Sequence, residues 1–172
     1  MIIIRSHPRN TEASFLRSFI FGVEDGLVST VGLISGVAFA GVPRATILLT
    51  GFVLIFVEAF SMAISSLLSE QSSEEFVERR ALPLLSFASS SAVMFFSYLI
   101  AGIVPLLPYL IITPESALWI SISMSLAALF FLGLLNAKLL KIPFWRHGLE
   151  MLLLGGVAII VGVLVGQVVH SL

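Results

Sequence analysis

Apolar positions in this chain run in five long stretches separated by short polar breaks, over about 19–40, 46–69, 84–112, 117–137 and 149–169. Each can cross a hydrocarbon core of about 30 Å, which takes about 20 helical residues. The pattern predicts an all-α, polytopic membrane protein with five transmembrane helices, forming a single transmembrane domain over residues 1–172. Pro105 and Pro108 predict the end of regular helix in the third stretch, leaving Leu106 to Ile112 as an interfacial turn. The one markedly hydrophilic tract, Ser69 to Arg80, predicts a short acidic cytoplasmic loop over 70–82. No internal repeat stands out, since five helices do not divide into two equal halves.

Composition narrows the class further. The 172 residues are 58% hydrophobic and 11% charged, where soluble domains carry about 25% charge. With 9 basic and 10 acidic side chains the net charge is −1, so no basic field is available to hold nucleic acid. Cysteine is absent, which excludes disulfides and thiolate chemistry. The first stretch follows Arg5, Arg9 and Arg17 as a signal peptide would, but it is too long, and it is expected to be a retained membrane helix. An N-terminus inside puts Arg5, Arg9, Arg17, Arg79, Arg80, Lys138, Lys141 and Arg146 on the cytoplasmic side and only Arg44 outside, predicting an N-in/C-out arrangement.

The informative polar positions lie inside the spans. Asp25 is the only aspartate, and an acid at membrane depth is costly unless it is used. Asp25, Ser29, Gly32 and Gly36 follow offsets of 0, 4, 7 and 11, a small and polar stripe on the first helix. Glu58, Met62, Ser65, Ser66 and Ser69 follow 0, 4, 7, 8 and 11 on the second. Such stripes are expected to face each other or a wet cavity. At 1.5 Å per residue Asp25 lies about 9–13 Å from the cytoplasmic face and Glu58 about 18–20 Å from the opposite one, so the two acids fall at similar depth. The candidate metal ligands are Asp25, Glu58 and Met62, with Glu24, Ser29 and Ser66 on the adjoining metal or proton path. Glu24 points about 100° away from Asp25 and so cannot share all its neighbours. Glu70, Glu74, Glu75 and Glu78 form a candidate cytoplasmic vestibule that would concentrate cations, or a solvated end of the second helix.

An enzyme is disfavoured. An intramembrane aspartyl protease needs two aspartates, and His7, His147 and His170 all fall at predicted membrane ends. Three readings stay open on the residues alone: a divalent-metal transporter, a proton-coupled transporter or channel for another cation, and a structural membrane subunit that carries no flux.

Phe21-Gly22-x-x-Asp25-Gly26-Leu27-Val28-Ser29, followed by Gly32-Leu33-x-Ser35-Gly36-Val37-Ala38, resembles the first helix of the vacuolar iron transporter family. Glu58-Ala59-x-Ser61-Met62-Ala63 with Ser69 resembles its second helix, Ile103-Val104-Pro105-Leu106-Leu107-Pro108-Tyr109 the end of its third, Gly133 with Lys138 its fourth, and Gly148-Leu149-Glu150-Met151 with Gly155-Gly156 the start of its fifth. The resemblance implies export of Fe(II), and often Mn(II), from the cytosol in exchange for protons, by a homodimer of five-helix protomers with its pathway near the two-fold axis. It implies no permanently bound cofactor, a lipid bilayer as surroundings, and a cell membrane in a prokaryote or a vacuolar-type membrane in a eukaryote. The chain departs from the family pattern at Ser18, where an acid is common, and at Ser65-Ser66-Leu67. It also has no room between its second and third helices for the metal-binding domain many members insert there.

The residues suit this chemistry. Carboxylates bind hard and borderline divalent ions, and one thioether favours Fe(II) over Mg(II) or Ca(II). Burial favours the neutral acids in an empty site, so arriving metal displaces protons. Gly32-x-x-x-Gly36 and Gly162-x-x-x-Gly166 offer small-residue faces, and a two-fold dimer is expected to bring two copies of the first helix together.

Overall fold

A computed structural model describes residues 11–141 and 144–171; Arg5, His7 and Arg9 lie outside them. The described residues form five α-helices, each long and apolar enough to cross a membrane. They are α1 (Thr11–Phe39), α2 (Arg44–Glu78), α3 (Ala88–Ile111), α4 (Pro114–Leu140) and α5 (Phe144–His170), with a short 3-10 turn at Leu84–Phe87 before α3.

Two boundaries differ from the sequence expectation. The acidic tract is not a loop over 70–82 but the other of its two readings, an extension of the second helix, since α2 continues through it to Glu78. Its serines and glutamates are tolerable helix formers in water, and 35 residues at 1.5 Å each give about 52 Å, well beyond the hydrocarbon thickness. Arg79 then takes a left-handed conformation (φ 58°) that closes the helix, and the Glu75 carboxylate accepts from the Leu82 amide at 2.9 Å to hold the turn. Pro105 and Pro108 likewise do not end α3, which runs on to Ile111. Each removes one backbone donor. Unwinding the last turns in hydrocarbon would strand several more, so the helix persists. Ser121 of α4 donates to the Pro105 carbonyl at 2.7 Å, tying the proline-bearing segment to its neighbour.

Helix α1 is the axis of the bundle, packed on α3, α5, α4 and α2. Glycine sets how closely its neighbours approach. A Cβ on Gly26 would lie 2.6 Å from the Tyr98 carbonyl oxygen, so α3 rests on bare α1 backbone there. The glycine pairs expected to serve a dimer meet inside the protomer: a Cβ on Gly36 would fall 2.3 Å from the Gly162 carbonyl oxygen, and one on Gly166 would fall 2.2 Å from that of Gly36. The α1 and α5 faces therefore close on each other. Buried apolar side chains fill the layers between, with Ile34, Ile47, Ile55, Leu106 and Tyr109 in one cluster and Leu27, Ala101, Leu129 and Met151 in another.

The bundle also sorts its charges. Ser14 near the start of α1 bonds to Glu70 near the end of α2, and Asn136 at the end of α4 lies 3.0 Å from His147 at the start of α5. Arg17, Arg79, Arg80, Lys138, Lys141 and Arg146 accordingly share one end of the bundle, while Arg44 bonds the Leu110 carbonyl at the other.

Candidate metal pathway

The two carboxylates singled out by depth lie on neighbouring helices, Asp25 on α1 and Glu58 on α2, both within the apolar spans. Tyr98 is fully buried, and its hydroxyl shares a 2.5 Å hydrogen bond with Ser29, one turn beyond Asp25. Sequence reasoning missed Tyr98. A tyrosine in the middle of an apolar helix was the available signal, since a buried phenol needs a polar partner. Neither acid is capped: among the described residues no hydroxyl or guanidinium is bonded to Asp25 or Glu58.

Three cavities lie along α1 between the basic end of the bundle and Asp25. The outermost, of about 260 Å³, lies between α1 and α2 and is lined by Ser14, Arg17, Ser69, Glu70, Ser73 and Glu74. Arg17 and Ser69 also line the next, about 310 Å³, whose walls include Phe21, Met62, Ser65, Ser66 and Met94. Phe21 in turn borders a third, about 260 Å³, that contains Glu24, Asp25, Val28 and Leu154. The three are thus neighbours along α1, with Arg17, Ser69 and Phe21 as common walls. The Ser66 hydroxyl is buried with no hydrogen-bond partner, so the second cavity has an unused polar group on its wall. Met62 lines this approach and stands apart from the Asp25 cavity, with Met94 as a second thioether in the same space. Among the described residues no three His, Asp or Glu side chains converge on one point.

The four tract glutamates part company. Glu70 is buried at 7% exposure and accepts hydrogen bonds from Ser14 of α1 and Ser90 of α3. Glu75 holds the turn after α2 through Gln71 and Leu82, and Glu78 pairs with Arg80 at 2.6 Å. Glu74 lines the outer cavity alongside Glu70. Glu24 lines the same cavity as Asp25, and the His147 ring lies between Asn136 and Glu150, 3.0 Å from each.

The model of the VIT family matches residues 16–83 and 79–167 of the chain. "Vacuolar iron transporter homolog 2" of Arabidopsis thaliana is 31% identical over 162 residues, covering 87% of this chain and 81% of that protein. "Vacuolar iron transporter homolog 3" of Arabidopsis thaliana is 29% identical, covering 85% and 78%. "VIT-like transporter 1a" of Glycine max is 30% identical, covering 76% and 74%.

Proposed function

The chain belongs to the VIT family, and from that premise we propose that it is a multi-pass membrane transporter that moves Fe(II), with Mn(II) as a second cargo, out of the cytosol in exchange for protons. What supports the reading is Asp25 on the wall of a cavity inside the spans and Glu58 on the neighbouring α2, neither bonded to a hydroxyl or guanidinium among the described residues. Two ionised carboxylates repel in a low-dielectric layer. One divalent cation neutralises them, and so do two protons. A site of charge −2 that must never stay bare therefore alternates between the two loads, which is exchange.

The cation arrives through the α1/α2 cleft, past Glu74, Arg17 and Ser69, and meets the thioethers of Met62 and Met94 beside Ser66. Soft sulfur on this approach favours Fe(II) over Mg(II) and Ca(II). Asp25 and Glu58 then bind it, with Ser29 and Tyr98 holding the geometry and Glu24 on the proton side. The basic end faces the cytosol, giving N-in/C-out. Two carboxylates leave a six-coordinate ion short of ligands, and a homodimer that doubles them completes the site.

Flux into liposomes tests this. Fe(II) uptake from a neutral outer solution should rise as the lumen is made more acidic at clamped voltage, and luminal protons should leave as metal enters. Asp25→Asn and Glu58→Gln should fold yet lose most of both movements. Parent-like transport by both variants would refute the site, and metal flux indifferent to the pH gradient would refute exchange.

A further inference from the structure

A further cavity lies on the far side of α1 from the proposed metal pathway and has no part in it. About 690 Å³ in volume, it opens sideways between α1, α3 and α4. Its walls are apolar almost throughout: Val23 and Leu27 from α1, Phe96 and Val104 from α3, Ala128 and Phe131 from α4, with Ser97 as the one polar lining residue. It follows α3 from Ala92 to Val104, about 18 Å at 1.5 Å per residue, which is roughly the reach of a fourteen-carbon acyl chain.

Shape alone gives no preference for an occupant, because bulk lipid is as apolar as these walls. The preference comes from the basic end. One turn beyond the groove residue Leu135, α4 presents Lys138, exposed and with no carboxylate paired to it among the described residues. One turn before Ala92, α3 presents the exposed hydroxyl of Ser89 on the same face. A long lysine stem can follow the helix to water while its ammonium meets a phosphate at the interface. Glu12 lies two turns beyond Phe19 on the same face of α1, further from the membrane, where an amine or hydroxyl of a headgroup would sit.

We propose that the α1/α3/α4 groove is the seat of one glycerophospholipid, with an acyl chain between the three helices and its phosphate at Lys138 and Ser89. The bound chain supports the back of α1, the helix that carries Asp25. Occupancy does not depend on which ion the protein moves, so bound lipid can be counted without any flux.

The test is phospholipid phosphorus per protomer, with native mass spectrometry, on full-length protein purified in a mild detergent. At least one phospholipid should remain on the parent. Lys138→Gln should reduce retention several-fold, Lys138→Arg should preserve it, and Ala128→Trp, which fills the groove, should abolish it. Lys138 is exposed, so its variants report even if the tryptophan variant fails to fold. A parent free of phospholipid would overturn the proposal. So would retention that Lys138→Gln leaves unchanged, or a Phe131→Cys variant that cross-links to a second copy through the groove.

Discussion

At the scale of single residues, identical side chains take unrelated work according to what converges on them. Glu70 and Glu74 are one turn apart on α2, and the sequence offers both to the same vestibule. The fold separates them: Glu70 is enclosed by hydroxyls from two other helices, and Glu74 lines the outer cavity. Hydrogen bonds to a buried carboxylate are worth about 1.5–3 kcal/mol each, so Glu70→Ala should lower the thermal midpoint in detergent by several degrees. Glu74→Gln should leave the midpoint alone and raise the apparent KM for Fe(II) about two- to threefold at unchanged maximal flux, because surface charge alters local concentration and not the transport cycle. An unchanged midpoint in Glu70→Ala would remove its role as a tie between helices. That Asp25 and Glu58 lie inside spans was legible, because membrane thickness and helix rise are fixed lengths. The burial of Glu70 was not, since Ser14 and Ser90 lie 56 and 20 residues away and no local spacing announces them.

At the scale of elements, the spans were readable and their partners were not. Twenty apolar residues announce a helix whatever it packs against, which is why five stretches became five helices. Small-residue faces announce close approach without naming the opposite helix, so the α1 and α5 glycines were assigned to a dimer when they close on each other. Prolines misled because the rule that they end helices assumes water is ready to satisfy the freed carbonyls. The glycines give a sharp contrast. A Cβ on Gly26 would meet α3 backbone at 2.6 Å, whereas one on Gly156 would meet nothing within 4 Å. Overpacking of a tight contact costs about 1–3 kcal/mol, so Gly26→Ala should lower the thermal midpoint and, by displacing Asp25 from Tyr98, slow Fe(II) flux. Gly156→Ala should change neither. Equal behaviour of the two variants would mean that the α1/α3 contact is not what fixes the site.

At the scale of the whole molecule, five spans would put the two ends of the chain on opposite sides, and the proposed N-in/C-out arrangement puts the basic end in the cytosol. The chain has no cysteine, so Ser73→Cys and Ser171→Cys can be labelled singly. They should react with impermeant maleimide from opposite faces, Ser73→Cys from the cytosolic one, and labelling from the same face would contradict five crossings. The remaining question is what covers the polar edge of α2. Ser61, Ser65 and Ser69 are exposed and Glu58 is half-exposed, on a helix whose other outward positions are Phe56, Val57, Phe60 and Ile64. A membrane-facing row of hydroxyls beside a carboxylate is costly, and in the proposed homodimer a second copy packed on α2 would cover it. Ser65→Cys should therefore cross-link to itself in native membranes with a short bifunctional maleimide, giving a dimer band. Leu153→Cys, on the uniformly apolar outer face of α5, should stay monomeric under the same treatment. The reverse pattern would move the interface to α5 and overturn the α2 contact.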